Sequence, residues 1–194
     1  MAWSEKKTQG IIYILILTGI FAFVYYWRVA SVDKSGEYNV RVGNYRLTDG
    51  VYDQALAEFR KALEFNPENV NAHFGMAVAY MMKNDESAAF EWFEKTMALA
   101  PDFAPAYANR GIYLDKLGRY EEALEDYKHA LTLDQDVAKG PGKLWRFMRN
   151  IKEKPPNIYE RAVYIQEQLK LPPEERVLKV AEEDAKQRMY KMKK

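Results

Sequence analysis

The chain has 194 residues, 48% of them hydrophobic, which is enough for one domain of ordinary size with appendages. Lys and Arg number 29 against 28 Asp and Glu, a net charge of +1, so no overall field argues for nucleic acid and protein contacts are the expectation. Cysteine is absent, which excludes disulfides, thiol nucleophiles and thiolate metal sites and leaves the redox compartment open.

From Thr8 to Trp27 the chain carries no charge: TQGIIYILILTGIFAFVYYW. At about 1.5 Å per helical residue this stretch covers roughly 30 Å, the thickness of a hydrocarbon core, and predicts one transmembrane helix in contact with lipid from Ile11 to Trp27. Lys6 and Lys7 flank it on one side and Arg28 on the other, with Tyr25, Tyr26 and Trp27 as an aromatic belt. A cleavage-like VAS lies at Val29 to Ser31, but the apolar run is longer than a usual signal-peptide core and bulky aromatics precede the site. A retained single-pass anchor is expected. The flanking count, Lys6 and Lys7 against Arg28, Lys34 and Arg41, is nearly balanced. The adjacent lysines of the short tail favour an inward N-terminus and a C-terminal domain on the far side, periplasmic in a bacterial cell. Residues 1–35 are thus read as tail, transmembrane helix and linker. The linker from Arg28 to Ser35 reaches at most about 28 Å, so the partner of whatever follows lies near the membrane.

Further along, Ala55, Ala89 and Ala123 are 34 residues apart. So are Phe59, Phe93 and Tyr127; Gly43, Ala77 and Gly111; and Gly50, Asn84 and Gly118. These residues at this period resemble the tetratricopeptide repeat (TPR) family, whose unit is a helix-turn-helix of that length. Residues 36–137 read as three consecutive repeats starting at Gly36, Val70 and Ala104. Small residues at the eighth and twentieth positions allow the two helices of a hairpin to approach closely. Gly50, Asn84 and Gly118 stand where a left-handed residue closes the turn, and Pro67 and Pro101 stop the second helices. Each hairpin must bury its remaining face on the next, so the fold class is an all-α TPR solenoid behind a single transmembrane helix. Three departures stand out: Arg46 where Tyr80 and Leu114 occur, Thr96 in the column of Ala62 and Ala130, and Gln135 in place of the proline.

Residues 138–171 read as a degenerate repeat and a capping helix. In a frame starting at Pro141, Leu144, Phe147, Met148 and Ile151 take first-helix positions. Pro155 and Pro156 break that helix, and Ile158, Ala162, Ile165 and Leu169 then form an apolar stripe suited to closing the stack. Residues 172–194 form a charged tail in which Pro172 and Pro173 open a helical pattern through Leu178, Ala181, Ala185, Met189 and Met192. Docking on a partner, lying on an anionic membrane and fraying into solvent are the alternatives for this end.

The resemblance implies a concave groove lined by first-helix positions 2, 5, 9, 12 and 13. These are Val40, Asn44 and Leu47; Phe74, Val78, Met81 and Met82; Ala108, Ile112, Asp115 and Lys116; and Trp145, Arg149 and Lys152. Such a groove is largely apolar. Family members that clamp the carboxylate tails of cytosolic chaperones use lysines, an arginine and asparagines there. Of that set only Asn44 is present, with Val40, Gly75, Pro105 and Asn109 at the other places, which disfavours that function. Paired methionines adapt to a helix or an extended apolar segment. The competing reading is that Phe74, Met81 and Met82 pack under neighbouring helices, or that the chain's own tail fills the groove.

No catalytic, cofactor or metal site emerges. His73 and His129 sit in different repeats without partners at metal spacing. GPGK from Gly140 lacks the length and the hydroxyl residue of a phosphate loop. Glu121, Glu122, Glu125 and Asp126 alternate with Arg119 and Lys128 as a solvated face. The expectation is a non-enzymatic, membrane-anchored scaffold that binds another protein, as an assembly factor or accessory subunit of a membrane complex. Its rivals are a membrane-bound chaperone or targeting receptor and a regulatory accessory of a membrane enzyme.

Overall fold

A computed structural model of the chain describes residues 13–25, 35–139 and 157–179. It divides into two units, Met1–Ser35 and Gly36–Lys194. In the first, residues 13–25 form helix α1, with every residue exposed and none charged. The Thr18 hydroxyl is satisfied within the helix, since its Oγ1 donates to the carbonyls of Ile14 and Leu15 at 2.9 and 3.0 Å. Among the described residues no helix is long and apolar enough to cross a membrane. The rest of the expected span, residues 8–12 and 26–27, lies outside them.

The second unit is all-α among its described residues. Helices α2 (Glu37–Thr48), α3 (Tyr52–Phe65), α4 (Val70–Met82), α5 (Glu86–Leu99), α6 (Ala104–Lys116) and α7 (Tyr120–Leu133) pair into three hairpins. The hairpins stack through α3 on α4 and α5 on α6, and α8 (Ile158–Leu169) packs on α7. The turns follow from backbone chemistry. Gly50, Asn84 and Gly118 have φ of 76°, 58° and 79°, the left-handed region open to glycine and tolerated by asparagine. α3 and α5 stop two residues short of Pro67 and Pro101. α7 stops at the same place without a proline, because the Asp134 side chain accepts the Asp136 amide and starts a 3-10 turn, Gln135–Ala138. Asn69 and Asp85 cap the starts of α4 and α5, accepting the Ala72 and Ala88 amides.

Packing assigns the small residues sharper roles than close helix approach alone. The Phe59 ring, 0% exposed, lies between Gly43 of its own hairpin and Gly75 of the next. A Cβ on either glycine would stand 2.6 or 2.4 Å from that ring. Gly111 admits Tyr127 in the same way, at 2.8 Å. Ala55, Ala89 and Ala123 are fully buried. Thr96 is buried too, with its hydroxyl donating to the Trp92 carbonyl at 2.8 Å, so the larger residue leaves no unpaired polar atom. Arg46 is exposed because α2 begins the unit, whereas Leu114 in the same column is buried. One tether recurs in both inter-repeat turns: His73 Nε2 donates to the Pro67 carbonyl at 2.8 Å, and Tyr107 Oη to that of Pro101 at 3.1 Å. Trp92 and His129 pack tilted against those two rings, with centroids 5.2 and 4.3 Å apart.

Candidate protein-binding groove and its C-terminal closure

Seven of the groove candidates, Asp115 among them, are buried inside the stack. Val40 joins Ala55, Phe59 and Met76 in the first core cluster. Phe74, Val78 and Met81 join Ala77, Phe93 and Tyr113 in the second, where the Phe74 ring meets Phe103 edge-on at 5.3 Å. Ala108 and Ile112, both 0% exposed, share the third cluster with Ile158, Ala162 and Ile165 of α8. Asn44, Leu47 and Met82 remain half-exposed, and Leu47 on α2 and Met82 on α4 edge the same cluster. Lys116 is exposed. Trp145, Arg149 and Lys152 lie outside the described residues, as do the expected first-helix positions Leu144, Phe147, Met148 and Ile151. The large apolar side chains went inward because each stacked hairpin must bury a whole face on its neighbour.

The third repeat carries a buried ion pair that residue spacing does not reveal. Asp115, on the last turn of α6, accepts two hydrogen bonds from Arg161 of α8: Nε to Oδ2 and Nη2 to Oδ1, both 2.7 Å. Tyr127 Oη adds a third at 3.1 Å. The paired side chains are 2% and 6% exposed, and each remaining lone pair or proton counts at that depth. Arg161 Nη2 also donates to the Leu178 carbonyl at 2.9 Å. A signal was present: Arg161 interrupts the stripe Ile158, Ala162, Ile165 in its middle, which requires a buried acceptor. Nothing local names Asp115 as that acceptor.

Up to residue 179 the tail departs from its expected helix. Pro172 and Pro173 open only a 3-10 turn, Pro173–Glu175, and residues 176–179 are not helical. Competing side-chain contacts draw the backbone along α8. Gln168 Oε1 accepts the Val177 amide at 2.6 Å, Tyr164 Oη donates to the Val177 carbonyl, and Arg176 donates to the carbonyls of Leu171 and Leu169. Leu178 thereby packs against the third cluster instead of lying on a helical face. Ala181, Ala185, Met189 and Met192 lie outside the described residues. α8 itself starts on a capping box, Asn157 accepting the Glu160 amide while the Glu160 carboxylate accepts that of Asn157.

A second ion pair joins α6 to α7. Arg110 donates twice to Asp126 at 2.7 Å, which holds the guanidinium above its ordinary range despite partial burial. Among the described residues no three His, Asp or Glu converge to hold a metal ion.

The class this geometry defines is a solenoid of stacked helical hairpins, with a terminal helix closing its C-terminal end. Two stretches of the stack match tetratricopeptide-repeat models: residues 43–84 the one described as TPR repeat, and residues 104–137 the one described as Tetratricopeptide repeat. Repeats of this class mediate protein–protein interaction through extended concave surfaces. The chain is 31% identical over 101 residues to mouse DnaJ homolog subfamily C member 3, covering 52% of this chain and 20% of the relative. It is 32% identical over 105 residues to Type IV pilus assembly protein PilF of Pseudomonas aeruginosa, covering 54% of this chain and 40% of that protein. The chain thus spans a fifth to two fifths of the length of these curated relatives. A solved structure titled as a functional characterisation of Pseudomonas aeruginosa pilF superposes with a TM-score of 0.52 at 24% identity, over 70% of this chain and 63% of that one. That likeness concerns the fold.

Proposed function

We propose that this chain is a membrane-anchored scaffold whose repeats hold another protein beside the bilayer, as an assembly factor or accessory subunit of a membrane protein complex. The observation that carries the reading is α1, an uncharged helix exposed along its whole described length, placed ahead of a protein-binding repeat unit. Within the uncharged stretch from Thr8 to Trp27, such a surface is suited to lipid. The open part of the groove, Asn44, Leu47 and Met82, offers an apolar patch with one amide, suited to an apolar segment of the partner. Anchoring raises the effective concentration of any partner in the same membrane, so modest affinity suffices. The naming of the Pseudomonas relative as a pilus assembly protein supports the assembly role over that of a transient receptor. The scaffold carries no catalysis of its own, and the repeats lie on the side of the membrane opposite Lys6 and Lys7.

Mild detergent solubilisation followed by affinity isolation of the full chain tests this. A fixed stoichiometric companion, lost on Leu47→Arg or Met82→Arg, is expected. A heterogeneous client set would replace the reading with the receptor, and recovery in the soluble fraction without detergent would remove the anchor. Protease accessibility of the repeats in sealed vesicles reads their side.

A further inference from the structure

The outer face of α2 differs from the equivalent face of the described later first helices, α4 and α6. Tyr38, Arg41 and Tyr45 fall at i, i+3 and i+7, on one side of α2, and all three are exposed, the tyrosines at 60% and 64%. The opposite side, with Val40 and Gly43, is buried against α3 and α4. One period on, the same three places hold Ala72, Gly75 and Ala79, and two periods on Ala106, Asn109 and Tyr113, all buried where the preceding hairpin packs. Tyr38 and Arg41 thus stand where the stacked helices hold alanine, glycine or asparagine. A further hairpin packed in register would have to displace these two larger side chains. The face is ill-suited to repeat stacking, yet it is not made polar in the way a solvated end would be.

We infer that this face of α2 is a lipid-interface contact that lays the first repeat against the headgroups of the membrane. The inference rests on the anchored reading above. A phenol combines an apolar ring with a polar tip and is favoured at headgroup depth, and an arginine between two such rings pairs with anionic headgroups while its stem lies along them. Val42, half-buried on the same side, adds apolar area, and Asp49 lies beyond it at the helix end. The chain permits the approach, because Arg28 to Gly36 spans at most about 32 Å even when extended. With α2 seated on lipid, the concave positions Asn44 and Leu47 of the same helix are held at a fixed height above the bilayer, which selects partner segments close to the membrane.

The absence of cysteine makes the test direct. Single variants Phe21→Cys, Tyr45→Cys and Lys128→Cys of the full chain are labelled with an environment-sensitive fluorophore. They are reconstituted in phosphatidylcholine–phosphatidylglycerol vesicles carrying lipid quenchers at acyl-chain depth, read at position 21, and at headgroup depth, read at positions 45 and 128. The expected result is strong quenching at 21, blue-shifted and several-fold greater quenching at 45 than at 128, and a loss of quenching at 45 on Arg41→Glu. Quenching at 21 with a water-like signal at 45 overturns the inference and leaves the anchor standing. A blue shift at 45 without lipid quenching also overturns it, since protein then covers the face. No quenching at 21 removes the anchored reading, and this inference with it.

Discussion

Asp115 and Arg161 are 46 residues apart in sequence and meet in two parallel hydrogen bonds of 2.7 Å, with both side chains buried. Through this pair the last turn of α6 holds α8, and through the second guanidinium nitrogen it holds the tail at Leu178.

Removing one partner leaves a buried uncompensated charge. Arg161→Met and Asp115→Leu, taken singly, are each expected to cost about 3–5 kcal/mol, while the double apolar variant recovers much of that loss. Urea unfolding followed by circular dichroism in mild detergent measures it. A double variant no better than either single one contradicts the account. Hydrogen exchange should show the loss first in α8 and residues 173–179.

The Phe59 slot yields a packing prediction. Gly75→Ala places a methyl 2.4 Å from a ring already hemmed in by Gly43, and should destabilise by about 1–3 kcal/mol. Shortening the ring as Phe59→Leu in the Gly75→Ala background should cost less than Phe59→Leu in the parent, a coupling that a double-mutant cycle isolates.

At the turns, Gly118→Ala and Gly50→Ala should each cost about 1–2 kcal/mol, because alanine resists the left-handed φ held there, although a Cβ meets nothing closer than 3.9 Å. Asn84→Gly, at φ 58°, should be neutral or slightly stabilising. Thermal midpoints of the three variants decide it. A cost for Asn84→Gly equal to the glycine losses would show that the side chain, not the backbone, matters.

Glu58 supplies a pH dependence. Hydrogen bonds from Lys61 and from Asn39 hold its carboxyl below the ordinary value of 4.5, against the opposing effect of burial. A depressed folded value means that the unfolded chain binds the proton first as pH falls. The stability contributed by Glu58 is therefore fully present above the ordinary value and lost as pH drops through the lower folded one. Glu58→Gln should remove this part, so that the stability difference from the parent is largest near neutrality and shrinks on acidification. A difference that does not change with pH contradicts it. Partial exposure keeps the effect small.

The repeats were readable because their determinants are local or strictly periodic. Gly50, Asn84 and Gly118 close turns through their own backbones, and Pro67 and Pro101 stop helices within two residues. The groove was less readable. Val40, Phe74 and Ile112 occupy the family's lining positions, yet their side chains are consumed in the interior, since sequence position specifies a side of a helix but not how closely the next hairpin approaches. Spacing alone points to a helical tail, and contacts with α8 override that weak preference at Arg176 and Val177.

What the amino-acid order determines by itself is the 34-residue hairpin, its turns and stops, and an uncharged helix ahead of it, because these depend on backbone conformations and periodic burial expressed within a few residues. Only the tertiary structure decided that Phe59 lies between two glycines from different hairpins, that Asp115 takes Arg161, and that Tyr38 faces outward where Ala72 and Ala106 face inward. Those outcomes depend on which surfaces meet across long stretches of chain, and the energy of a buried ring or ion pair belongs to the meeting, not to either residue alone.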